Sequence, residues 1–139
     1  MSQTQRTPTV LAMVLCDQVI RDEMTKKITL VGCFTTILAN AFPATHRGLG
    51  LYVALTDGEG DYTGNLRFTL EATGQELMSA EGKFHLANPL QVAELNFGIP
   101  ALPLPQAGKY RLEFLCDGEP LMSRVFVADL AKPAAPAQS

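Results

Sequence analysis

Few residues in this sequence are of types that do chemistry, and none stands at a diagnostic spacing. The two histidines, His46 and His85, are far apart, and neither has a second His or Cys at metal-ligand distance along the chain. Each therefore reads as a structural or solvated imidazole rather than a ligand or a general base. Of the three cysteines, Cys16 precedes Asp17, whose carboxylate disfavours a thiolate beside it, while Cys33 and Cys116 sit inside alternating apolar runs. All three read as small core hydrophobes. Asp57, Glu59 and Asp61 put three carboxylates in one short loop, which suits a hard cation such as calcium, but the stretch lacks the length and closing glutamate of an EF-hand. Solvated turn carboxylates are the first reading. Ser79 and Ser123 lack a Gly-x-Ser-x-Gly elbow, and no glycine-rich loop is built to cradle a phosphate. Paired carboxylates for glycoside hydrolysis are defined by spacing in space rather than along the chain, and nothing singles out a pair. No set of acid, base and nucleophile stands out, so we expect no catalytic residue, no metal site and no cofactor.

The bulk properties set the frame for these residues. At 139 residues the chain suits one domain, and 47% hydrophobic residues are enough for a core that needs neither metal nor disulfide. Lys+Arg 11 against Asp+Glu 14, with no basic block, removes the usual footprint for nucleic acid or an anionic membrane. The apolar run Val10 to Leu15 is too short to span a bilayer, and the polar residues before it do not have the order of a secretory signal. An odd cysteine count in a cysteine-poor chain fits a reducing compartment, and we expect a cytoplasmic protein.

Period-two alternation dominates the chain, and no helical spacing is sustained. Leu66, Phe68, Leu70 and Ala72 alternate with Asn65, Arg67, Thr69 and Glu71, as in a strand with one face buried. The same pattern marks Leu49 to Leu55, Ala93 to Ile99 and Tyr110 to Cys116. Further strands are expected at Val10 to Leu15, Lys27 to Leu38, Leu77 to Leu86 and Leu121 to Ala128, about eight in all with little or no helix. The expected fold is all-β, a two-sheet antiparallel, immunoglobulin-like β-sandwich over residues 9–130, with a small closed barrel as the alternative. Residues 1–8 read as a disordered arm and 131–139 as a disordered Ala/Pro tail.

Asp117-Gly118 between two alternating runs predicts a two-residue hairpin loop. Counting back from it places Phe114 opposite Leu121, Tyr110 opposite Val125 and Arg111 opposite Arg124. Like charges facing each other destabilise a sheet, so the arginines either are solvated, with Glu113 between them, or hold an anionic group of a partner. Pro120 makes the last strand a sheet edge near that point. The segment Ile99 to Pro105 cannot donate normally to a ladder and is expected to cross between sheets. Its Leu102 and Leu104 either close one end of the core or form an exposed strip ready for a partner.

The residues Cys16-Asp17-Gln18-Val19-Ile20-Arg21-Asp22, followed by Thr25-Lys26-Lys27, Leu30, Gly32 and Phe34, resemble the N-terminal signature of an uncharacterised family of small bacterial all-β proteins. That signature runs Cys-Asp-x-Val-Ile-x-Asp, Thr-x-Lys, Leu-x-Gly-x-Phe. The likeness continues through Phe42-Pro43, Leu51-Tyr52-Val53 and the closing hairpin from Gly108 to Val127, although Cys33 stands where the pattern suggests an aliphatic residue. The resemblance implies a fold and a bacterial source, with no assigned activity. The signature residues also suit the turn of a first hairpin, where short polar side chains bond backbone groups.

The leading expectation is therefore a non-catalytic protein-interaction or assembly module. Its partner is another protein or a second copy paired through a sheet edge, and Leu102, Leu104, Arg111 and Arg124 are the candidate contacts. The alternative is a small-molecule or ion-binding pocket near Asp57 to Asp61 and His46, and a hydrolytic enzyme comes last. Leu102→Asp with Leu104→Asp separates the two readings of the proline-rich segment. A folded variant that has lost its partner means an exposed strip, whereas an unfolded one means a core residue pair.

Overall fold

Each alternating run is a ribbon with one face to bury, and ribbons of this kind pair edge to edge before stacking face to face. In the structure, a computed structural model that describes residues 6–131, the chain forms nine strands and, among the described residues, no helix. They are β1 (Thr9–Arg21), β2 (Ile28–Cys33), β3 (Thr36–Ala39), β4 (Ala44–Thr56), β5 (Gly60–Leu70), β6 (Gln75–Leu86), β7 (Ala93–Leu104), β8 (Gly108–Cys116) and β9 (Glu119–Leu130). Four strands form one sheet in the order β2-β1-β4-β7, and five form the other in the order β3-β9-β8-β5-β6. Two separate sheets replace the closed-barrel alternative. Every pairing is antiparallel except β3 with β9, which is parallel.

The inward faces of both sheets supply one core. Leu51, Val53, Leu55 and Ile99 from the first sheet meet Leu66, Phe68, Leu112 and Phe114 from the second, all essentially inaccessible to water. Phe126 stacks on Tyr110 with ring centroids 5.4 Å apart and meets Phe68 edge-on at 6.2 Å. Glycine makes room for the Phe114 ring within its own sheet: a Cβ on Gly64 of the adjacent strand would lie 2.9 Å from it.

Several expectations change in the structure. The run from Lys27 to Leu38 is two strands, because the chain leaves the first sheet after Cys33 and joins the second at Thr36. Gly32 prepares that exit with φ +70, and a Cβ there would sit 2.3 Å from Asp17 Oδ2. The Asp117-Gly118 turn forms as expected, with φ 49 and φ 85 and with Cys116 opposite Glu119. A bulge then shifts the register between Phe114 and Leu115, so that Phe114 faces Met122, Leu112 faces Arg124 and Tyr110 faces Phe126. The one-residue shift brings Phe126 and Ala128 into the core and leaves Val125 outside. Arg111 therefore stands opposite Val125, not Arg124, and the expected arginine pair does not exist.

The proline-rich segment is also corrected. It continues β7 along the edge of its sheet as far as Leu104, and the corner to the other sheet follows from Pro105. Edges tolerate proline, and Pro100 and Pro103 are exposed while Leu102 and Leu104 are fully buried. The core-closing reading replaces the exposed strip. At the N-terminus the expected free arm is held from Arg6 onward: Pro8 is buried, and the Arg6 carbonyl accepts a hydrogen bond from the Tyr62 hydroxyl. The rest of the expected arm, residues 1–5, and residues 132–139 of the expected tail lie outside the described residues. The turn of the first hairpin agrees with its sequence reading. Asp22 Oδ1 accepts hydrogen bonds from the backbone N–H of Met24 and Thr25, both at 2.8 Å, and Lys26 takes φ 63.

Because both leucines are core residues, Leu102→Asp with Leu104→Asp should abolish folding. Leu104→Ala alone should lower stability by about 2–5 kcal/mol, read from the shift of a urea midpoint at unchanged slope.

Candidate functional site

Besides the outer edges of the two sheets, unpaired backbone lies where the chain changes sheets. β2 pairs only with the Cys16–Arg21 half of β1, and β3 pairs only with β9 from Val127 onward. Among the described residues, the earlier parts of β1 and β9 thus have no strand on their outer side, and they face each other across a notch spanned by Phe34 and Thr35. The directions of the edge groups follow from the bonds at its end. Phe34 N–H donates to the Leu15 carbonyl at 3.2 Å, and Val127 N–H donates to the Thr35 carbonyl at 3.0 Å. Backbone groups two residues apart on a strand point the same way, so Met13 on β1 and Ser123 and Val125 on β9 also present N–H and C=O to the notch. Among the described residues no backbone hydrogen bond satisfies Ser123 or Val125 on that side.

The notch holds a groove of about 450 Å³ lined by Met13, Leu15, Phe34, Cys33, Val125 and Arg124, among others. Val125 is exposed despite its apolar side chain, as is Leu11 beside the groove on β1. Arg124 shares the inward parity of Phe126, but at the open side of the two sheets it reaches across and donates from Nε to the Met13 carbonyl at 3.1 Å. No carboxylate pairs with it among the described residues. An inward-pointing charge at an open edge discourages indiscriminate strand pairing.

The other residues singled out from the sequence are separated by the fold. Arg111 is held within the molecule: its Nε and Nη2 donate to the two Glu71 carboxylate oxygens at 2.9 and 3.1 Å, and Nη1 donates to Ser123 Oγ at 2.9 Å. This bidentate bond, chiefly, holds the Glu71 carboxyl below its ordinary value. The loop carboxylates do not converge on one point. Asp57 pairs with Arg6 at 2.7 Å, Asp61 meets His85 Nδ1 at 2.9 Å, and Tyr62 Oη accepts a hydrogen bond from the Glu59 N–H. His46 lies ten residues before Thr56 on the same strand, roughly 33 Å from that loop, so no pocket joins it to Asp57 to Asp61. It packs against Phe34 at the other end of the core, where its Nε2 is buried without a partner among the described residues. Cys16 and Cys116 are buried, and burial is the main cause that raises the Cys116 thiol to about 11. Cys33 is exposed, contrary to its reading as a core residue, because it ends β2 on an open side of the sheet.

Sequence reasoning missed the notch because it is made of absent pairings. Of the candidate contacts that the sequence suggests, Arg124 alone lines it, and on a different register from the expected one. Fold and site together describe an all-β domain with two sheets, a shared core and, between β1 and β9, a notch where stretches of two strands lie unpaired. The chain matches a family of unknown function, DUF6941, over residues 11–128 and belongs to it. No curated protein matches the chain. No helix among the described residues is long and apolar enough to cross a membrane.

The Glu71–Arg111 bond gives a pH signature. A carboxyl lowered in the fold contributes stability that is complete above its ordinary value, 4.5, and is lost as pH falls through the lower folded value. Glu71→Gln should therefore melt below the wild type at pH 7, and the two melting temperatures should converge as pH falls below that window.

Proposed function

We propose that this domain is a non-catalytic protein-interaction module that takes an extended peptide segment of a partner into the notch between β1 and β9. The single observation that carries the reading is the unpaired, outward-facing backbone of Ser123 and Val125 beside an apolar groove. Periodic N–H and C=O groups in extended geometry are complementary to another strand, so main-chain bonds supply affinity and the groove supplies selection. The groove's apolar lining favours aliphatic or aromatic side chains. Arg124, with no carboxylate partner among the described residues, favours one acidic residue beside them. Of the four residues suggested from the sequence, Arg124 alone keeps a contact role in this reading, since Leu102 and Leu104 are buried and Arg111 is held by Glu71.

The test is selection of random peptides displayed on phage against the folded domain, with two variants as controls. Val125→Pro removes an N–H that makes no bond to β8, so the fold should survive while a strand can no longer pair there. Selected peptides should share alternating apolar positions and an acidic residue. Their affinity should fall at least tenfold for folded Val125→Pro and severalfold for Arg124→Gln. Peptides that bind the folded Val125→Pro variant as tightly as the wild type, or a selection that enriches nothing, would contradict the proposal.

A further inference from the structure

The strand register brings together two thiols that the sequence places far apart. Cys16 on β1 and Cys33 on β2 are direct partners across the antiparallel pair. Residues directly opposite in an antiparallel pair have Cα atoms about 4.5–5.5 Å apart, whichever the pair type, and side chains on the same face. That separation falls within the range spanned by disulfides, about 4.4–6.8 Å. We propose that Cys16 and Cys33 are a dithiol site that closes to a cross-strand disulfide by exchange with a low-molecular-weight disulfide. This inference is independent of the peptide-binding reading.

The two thiols differ in the way such an exchange requires. Cys33 is exposed and meets the oxidant, whereas Cys16 is buried, with its Sγ 3.6 Å from the Gly50 carbonyl oxygen. Burial, then the neighbouring Cys33, push the Cys16 thiol up, which keeps it protonated and leaves the first attack to Cys33. With oxidised glutathione, the Cys33 thiolate attacks one sulfur, a Cys33–glutathione bond forms, the glutathione S–S bond breaks, and one glutathione leaves as thiolate. Cys16 then gives its proton to water and attacks the Cys33 sulfur, which releases the second glutathione. Two protein thiols are oxidised, two electrons pass to the glutathione disulfide, and it is reduced to two thiols. Cys116 lies on the other sheet and has no cysteine partner in register, so it serves as an internal control.

The experiment incubates the full chain in glutathione buffers of increasing oxidised fraction, quenches with acid, alkylates free thiols and maps tryptic peptides by mass. The three cysteines fall on separate peptides, 7–21, 28–47 and 112–124. The expected product is 7–21 joined to 28–47 within one molecule, an intact mass lower by two hydrogens, and 112–124 still alkylated. Cys16→Ser should stop at one glutathione on Cys33, and Cys33→Ser should give no cross-link. Wild-type protein that ends as the Cys33–glutathione adduct, cross-links only between molecules, or remains fully alkylated in oxidised glutathione would overturn the proposal. Circular dichroism of each sample confirms that the thiols are compared in the folded state.

Discussion

The passage of the chain from one sheet to the other between Cys33 and Thr36 is the constraint on which the remaining structure depends. A strand that leaves one sheet edge to join another cannot cover both edges along their full length. β2 therefore protects only the second half of β1, and β3 only the end of β9. The bonds from Phe34 to Leu15 and from Val127 to Thr35 fasten the crossing segment to both sheets. They also fix which backbone groups beside them are left over. On the opposite side of the molecule β6 and β7 come together, with the Phe97 ring 3.1 Å from where a Cβ on Gly82 would be. The asymmetry between the packed side and the notched side comes from connectivity.

Edges of this kind are hazards as well as opportunities, because an unpaired strand accepts any extended chain. The short β3, the proline at position 120 and the bulge beside it, and the arginine reaching to Met13 all limit what can pair. Arg124 would both restrict and attract under the proposed peptide-binding reading, since a carboxylate could satisfy it in place of the Met13 carbonyl.

Much of the fold was legible in the sequence because its core is written in period two. Leu66, Phe68 and Leu70, or Tyr110, Leu112 and Phe114, announce both the strand and its buried face, and Asp117-Gly118 announces the turn between β8 and β9. What could not be read was any feature set by one residue's displacement or by a neighbour far along the chain. The bulge at Phe114 and Leu115 leaves composition unchanged, yet it exchanges the partners of every later pair and moves Phe126 inward. The division between β2 and β3 depends on Gly32 and Asp17 meeting across strands, and Cys33 could be recognised as the partner of Cys16 only once that register was known. The notch left still less trace, since its defining groups are backbone atoms that every residue carries.

The openness of that notch is the claim from which the functional account follows, and amide hydrogen exchange measured residue by residue by NMR tests it directly. Along β9 the account predicts alternation: slow exchange at Arg124 and Phe126, whose N–H groups face β8, and fast exchange at Ser123 and Val125, whose N–H groups face the notch. Uniformly slow exchange through Ser123 to Phe126 in the free protein would mean that the edge is already paired or covered, and would contradict the account.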